Sequence, residues 1–237
     1  INMGTMAVDG SFTLAPNSTG AVTIVNDAGL TLAASTMGGT FSGTATTGNI
    51  TDSGALAITG TTTLVTSADD ATITLDTTTN AFTGAVTITT NDSSGTDADV
   101  TIDGGTTALI IAASTIDGDL TLTSGHASGI TDSGTVTVGG NFTATTDANS
   151  GVINMGTMAV DGSFTLAPNS TGAVTIVNDA GLTLAASTMG GTFSGTATTG
   201  DITDSGALAI TGAATFITGA TGSNIVLNAP TNAFSNS

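Results

Sequence analysis

The chain has 237 residues, no Lys or Arg, and eighteen acidic residues that are all Asp, for a formal net charge of −18 at pH 7. Without a basic side chain to meet phosphate, nucleic acid is disfavoured as a partner, and so are anionic membrane surfaces. Glu, Gln, Cys, Trp and Tyr are also missing, which removes disulfide and thiol chemistry, while Thr and Gly make up over a third of the chain.

This composition lacks the long unbranched polar residues that favour helices and is rich in β-branched ones, so the expected class is all-β. Disorder is the competing reading of so much Gly, Thr and Ser. The apolar residues, at 39% and regularly spaced, argue against it.

In chain order the first legible element is a tight turn leading into an aromatic residue and Thr, Val8-Asp9-Gly10-Ser11-Phe12-Thr13. Short runs of apolar, Thr, apolar follow at Val22-Thr23-Ile24 and Leu30-Thr31-Leu32, then a second turn at Met37-Gly38-Gly39-Thr40-Phe41. Ile50-Thr51-Asp52-Ser53-Gly54 is a marker that returns at 130–134 and 202–206, and Ile58-Thr59-Gly60 repeats the turn in reduced form. Further alternating runs stand at Ile73-Thr74-Leu75, Val86-Thr87-Ile88, Val100-Thr101-Ile102, Leu120-Thr121-Leu122 and Val136-Thr137-Val138. Period-two alternation ended by Gly, Asp or Asn predicts short strands with apolar residues on one face and Thr on the other. The longest apolar run, Ala108-Leu109-Ile110-Ile111-Ala112-Ala113, is far too short to span a membrane.

At Ile153 the sequence begins again. Residues 1–60 return at 153–212 with one change, Asn49 to Asp201, and Asn80-Ala81-Phe82 returns as Asn232-Ala233-Phe234. The reading is one continuous β-solenoid over 1–237, with 1–152 a first long repeat and 153–237 a partial second copy. Nested periods favour stacked coils over a sandwich, and a tandem of immunoglobulin-like modules is the runner-up fold. Rungs of about 22 to 25 residues at about 4.8 Å per strand give roughly ten rungs and about 45–50 Å. Coiling in one direction makes the strands parallel, and right-handed winding is the commoner sense. The eight Phe are expected inside. The chain starts and stops partway through a repeat and shows neither a signal peptide nor a polar cap at Ile1 or Ser237, so it reads as a piece of a longer protein.

Segments such as Asn80-Ala81-Phe82-Thr83-Gly84-Ala85-Val86-Thr87-Ile88, Ile50–Gly60 and Val138-Gly139-Gly140-Asn141-Phe142-Thr143 resemble the repeat regions of filamentous-haemagglutinin-type bacterial adhesins. The resemblance covers essentially the whole chain through degenerate repeats. It implies a right-handed parallel β-helix, an extracellular or cell-surface location, and a role as a stalk or adhesive fibre.

Candidate chemistry is sparse. Asp69-Asp70 and Gly125-His126-Ala127 are fragments of what polysaccharide-cleaving β-helices use, but no Arg or Lys exists to grip an acidic sugar, and Asp69-Asp70 has no match in the second copy. No enzyme is expected and no cofactor. Asp97, Asp99 and Asp103 with Gly104-Gly105 offer oxygens at short spacing for Ca²⁺, against the plain reading of turn-forming Asp. No specific metal site is assigned, and only diffuse or weak Ca²⁺ binding is expected. Asn17, Asn49, Asn91 and Asn141 begin Asn-x-Ser/Thr triplets, for which chance is the default in a chain this rich in Asn and Thr. Thr-x-Thr runs such as Thr121-Leu122-Thr123 are also the pattern of ice-binding solenoids, although Thr is simply a good outward strand residue.

The expected function is a non-enzymatic structural or adhesive segment of a giant repetitive bacterial surface or secreted fibre. The alternative is a self-assembling subunit of an extracellular filament, sheath or surface layer. Expected partners are further copies, end to end or laterally, or neighbouring cells and surface glycans. Neither nucleic acid nor membrane insertion is expected.

Overall fold

A computed structural model describes residues 1–236 apart from 92, 94 and 96. All strand pairings among them are parallel, and each strand pairs with one a full turn away in sequence. The chain is a β-solenoid of about eleven turns, with no helix among the described residues. The runner-up arrangement of immunoglobulin-like modules requires antiparallel hairpins, and none occurs among the described residues.

Each run of apolar, Thr, apolar is a strand. Val22–Asn26, Leu30–Leu32 and Ser35–Met37 form the three sides of an early turn, and their burial alternates strictly. Phe41–Ala45, Ile50–Asp52 and Leu56–Ile58 lie directly over them. The first face runs in this way from Asn2–Met6 to Ala214–Thr218, and the second from Ser11–Phe12 to Ile225–Val226. Paired positions are separated by 19 residues at Val22↔Phe41 and by 27 at Ile73↔Val100, because the segments between strands differ in length. This spread is wider than the expected 22 to 25 residues per rung and accommodates one more turn.

The cross-section changes along the axis. Near the start, and again near residue 200, a turn visits the first, second and third faces in order, the third being a separate three-stranded sheet. In the middle the first face forks: Val86–Thr89 pairs through Val86 with Leu109–Ile111 and through Thr89 with Ser114–Ile116. The fork closes at the eight-residue strand Ile153–Val160, which lies over both Ile130–Asp132 and Val136–Val138.

The interior is one continuous cluster of apolar side chains. Phe41, Phe82, Phe142, Phe164 and Phe193 are fully buried with Leu, Ile and Met between them, and Phe142 meets Phe164 edge-on at 5.8 Å. Phe12 is buried as well, but Phe216 is only half-buried and Phe234 is exposed at the last turn, so six of the eight expected Phe are inside. Outside, one column of hydroxyls climbs the second face in register through Thr31, Thr51, Thr74, Thr101, Thr121, Thr143 and Thr165. That column begins below at Ser11 and reaches Thr165 after seven turns, two residues beyond Ser163, the sequence equivalent of Ser11. Successive copies of the long repeat are therefore offset along the strand direction, by about 7 Å at the usual rise per residue.

Candidate functional site

Polar side chains do most of their bonding at the corners, and they bond from turn to turn. Asn26 closes the strand Val22–Asn26 with no exposure. Its carboxamide accepts the Val8 N–H at 3.0 Å and donates to the carbonyls of Val8 and Gly29. Asn178 repeats all three bonds with Val160 and Gly181. A buried carboxamide is tolerated here because both ends of the amide are satisfied.

The Ile-Thr-Asp-Ser-Gly marker acts as a staple. Asp132 accepts the N–H groups of Gly156 and Thr157 and the Thr157 hydroxyl, all on the turn above. Asp204 accepts the N–H groups of Asn228 and Ala229 and the Asn232 carboxamide. Asp52 takes Asn80 in the same way at 2.6 Å. The motif glycine is forced by contact with the turn below: a Cβ on Gly54, Gly134 or Gly206 would stand 2.8, 2.9 or 2.5 Å from the backbone N of Ala34, Ala113 or Ala186. Those alanines belong to Ala-Ala-Ser-Thr, at 33–36, 112–115 and 185–188, a repeat that sequence reading missed although its three occurrences were visible. Its serine is buried. Ser35, Ser114 and Ser187 accept the N–H of Leu14, Ile88 and Leu166 from the turn below and donate to a carbonyl two residues back.

A second ladder guards the entry to the second face. The Asp99 carboxylate accepts the Asp119 N–H, Asp119 accepts the N–H and carboxamide of Asn141, and Asn141 accepts the N–H and hydroxyl of Ser163. The one change between residues 1–60 and 153–212 fits this logic. Asn49 Oδ1 accepts the Thr72 N–H at 2.9 Å, and Asp201 Oδ1 accepts the Asn224 N–H at 2.7 Å, so the acceptor survives the change.

The residues singled out for chemistry do not converge. Asp69 lies in the corner between the first and second faces and is exposed, where it accepts bonds from Asn91 and Ser93. Asp70, beside it, is exposed with a φ of 60°. His126 sits at the exit of the second face, its Nδ1 accepting the Ser128 N–H. It borders a hollow of ≈ 310 Å³ walled by Thr83, Thr106, Thr107 and Ala108, with no carboxylate among them. Asp99 and Asp103 stand at opposite ends of the strand Val100–Asp103, roughly 13 Å apart along an extended chain. Asp97 offers its carbonyl to the Asp99 N–H. Asp103 instead binds the Gly105 N–H, and its carboxyl is raised above its ordinary value, first by burial and then by the charges of Asp147, Asp76 and Asp52, with the Gly105 bond opposing. Among the described residues no three acidic or His side chains are grouped to hold a metal ion. Asn17, Asn49 and Asn141 are exposed; the Asn91 triplet runs through residue 92, outside the described residues.

No curated protein and no solved structure matches this chain. The model of one protein family matches three segments, 19–89, 97–156 and 171–237. Each segment contributes three strands to the second face, and each carries one Ala-Ala-Ser-Thr and one Ile-Thr-Asp-Ser-Gly. In the first and third segments the Ile-Thr-Asp-Ser-Gly corner joins the second face to the third, at Ile50–Asp52 and Ile202–Asp204. In the middle segment it lies on the forked first face, at Ile130–Asp132, so the same motif points to another side of the solenoid. With most of its length matched in this way, the chain belongs to the family described as repeats of unknown function (DUF5649).

Proposed function

We propose that this repeat protein is a non-enzymatic element of length and surface in a giant, repetitive bacterial fibre that is secreted or displayed at the cell surface. The observation that carries the reading is where the polar chemistry is spent. Asp52, Asp132, Asp204, Asn26, Asn178 and the ladder from Asp99 to Ser163 bind one turn to the next and leave the outside to columns of Thr and scattered carboxylates. A stack of this kind grows by about 4.8 Å per turn without needing a larger core, which suits a stalk. Surface glycans or neighbouring cells are the proposed contacts, through the hydroxyl-rich faces.

The test is direct. Antibodies raised against the folded chain should label intact cells of the source bacterium along surface fibres, and beads coated with the chain should be retained on cells or glycans. Labelling that appears only after lysis would remove the extracellular assignment. Surface labelling with no retention of beads would leave a structural stalk and remove the adhesive part.

A further inference from the structure

The first copy of the long repeat shows what the upper rim of the second copy accepts. At that rim the strands Ala214–Thr218, Ile225–Val226 and Ala233–Phe234 pair only with the turn below, among the described residues. Ile217, Ile225, Val226 and Phe234 are between 41% and 47% exposed around a hollow of ≈ 280 Å³ lined by Ala214, Phe216, Leu227, Phe234 and Asn236. Ile217 and Val226 stand where the first copy has half-buried Val65 and Thr74, while the positions of Phe216, Ile225, Leu227 and Phe234 carry Leu64, Ile73, Leu75 and Phe82, all four completely buried. They are covered by Val86–Thr89 over Thr62–Val65 and by Val100–Ile102 over Ile73–Leu75, while the Phe82 N–H is taken by the Thr107 hydroxyl. The rim itself is built alike in both places. Asn80 and Asn232 accept the N–H of Leu56 and Leu208, each at 2.8 Å, and donate to Asp52 and Asp204.

We propose that this rim is a docking surface for a parallel β-solenoid turn of the sequence type of residues 83–112, with apolar, Thr, apolar strands and a threonine placed to receive the Phe234 N–H. The lower rim of a second copy does not supply that shape. Residues 1–14 are identical to 153–166, which rest on the forked strands Ile130–Asp132 and Val136–Val138 with Phe164 over Phe142. The upper rim offers one unforked strand, and a two-residue strand where Phe142 would be required. The inference stands on the fold alone and not on the surface-fibre reading.

Hydrogen exchange at residues 214–234 tests it. Three samples are compared: the 237-residue chain, the chain extended by a copy of residues 86–152, and the chain extended by a copy of residues 1–68. The first extension should slow exchange of these amides about a hundredfold, and the second should leave them close to the unextended chain. Replacing Ile225 by Asp in the first extended chain should restore fast exchange at the rim while residues 100–146 keep their protection. Equal protection by both extensions, protection by neither, or protection of the unextended chain that rises with its concentration would each overturn the proposal, the last by seating a second copy on the rim.

Discussion

At the scale of the residue, stability is carried by buried amides and shared carboxylates whose partners lie one turn away. Asn178 is the clearest case, with no exposure, two bonds to the Val160 backbone on the turn below and a third to Gly181 in its own corner. Replacing it by Ala strands the Val160 N–H and carbonyl and the Gly181 carbonyl, at about 1–3 kcal/mol for a buried group left unpaired. Chemical denaturation of Asn178→Ala should therefore show a loss of that order or more, and a midpoint unchanged from the parent chain would refute the role. Asp201→Asn is the contrasting case. It recreates the first copy's residue and keeps the acceptor for Asn224, so its unfolding free energy should stay within about 0.5 kcal/mol of the parent, as for surface changes generally. Asp204 titrates in the favourable sense. Slight burial works against its charge, but bonds from Asn232, Ala229 and Asn228 hold its carboxyl below the ordinary value of 3.8. Its contribution is present above that value and is lost as pH falls through the lowered one.

At the scale of the element, strands are set by alternation and corners by contact between successive backbones. Gly84 stacks on Gly60, and a Cβ there would sit 2.4 Å from the Gly60 carbonyl oxygen, while Gly60 in turn stacks on Gly39. Gly84→Ala should destabilise by about 1–3 kcal/mol, as overpacking does, and the loss should appear in thermal melts as a lower midpoint with an unchanged far-ultraviolet spectrum. Much of this level was legible beforehand. Every apolar, Thr, apolar run from Val22 to Val138 lies within a strand, because period-two alternation with glycine stops has only one compact solution. Buried Asn26, which reads in sequence as an ordinary turn residue after Val25, was not legible, since its burial depends on Val8, eighteen residues away. The fork was hidden for the same reason. Ile50-Thr51-Asp52-Ser53-Gly54 and Ile130-Thr131-Asp132-Ser133-Gly134 are identical, yet the neighbours supplied by corner loops of different length place them on different faces. Candidate chemistry suffered most from this. Asp97, Asp99 and Asp103 are close in sequence, but an extended strand holds the last two apart.

At the scale of the whole molecule, repetition creates an electrostatic cost that nothing in the chain cancels. Stacking brings Asp52, Asp76 and Asp147 near Asp103, and burial with these charges lifts the Asp103 carboxyl above 3.8. A group raised in the folded state lends stability below its unfolded value and loses it as pH rises through the raised one. Asp103→Asn keeps the acceptor for Gly105 and removes the charge, so it should melt higher than the parent at pH 7, and the two should converge below about pH 3.8. The same reasoning extends to the net charge of −18. Two carboxylates one turn apart repel by about 0.9 kcal/mol in bulk water, and physiological salt screens that repulsion over roughly 8 Å. Raising sodium chloride from low to physiological concentration should therefore raise the melting temperature, and millimolar Ca²⁺ or Mg²⁺ should raise it further at equal ionic strength. Diffuse bridging of neighbouring turns by divalent ions would make the increase gradual over concentration and similar for the two ions. A sharp saturable rise for Ca²⁺ alone would reveal a specific site instead, and a melting temperature indifferent to both would show that the turns already hold their charges too far apart to repel.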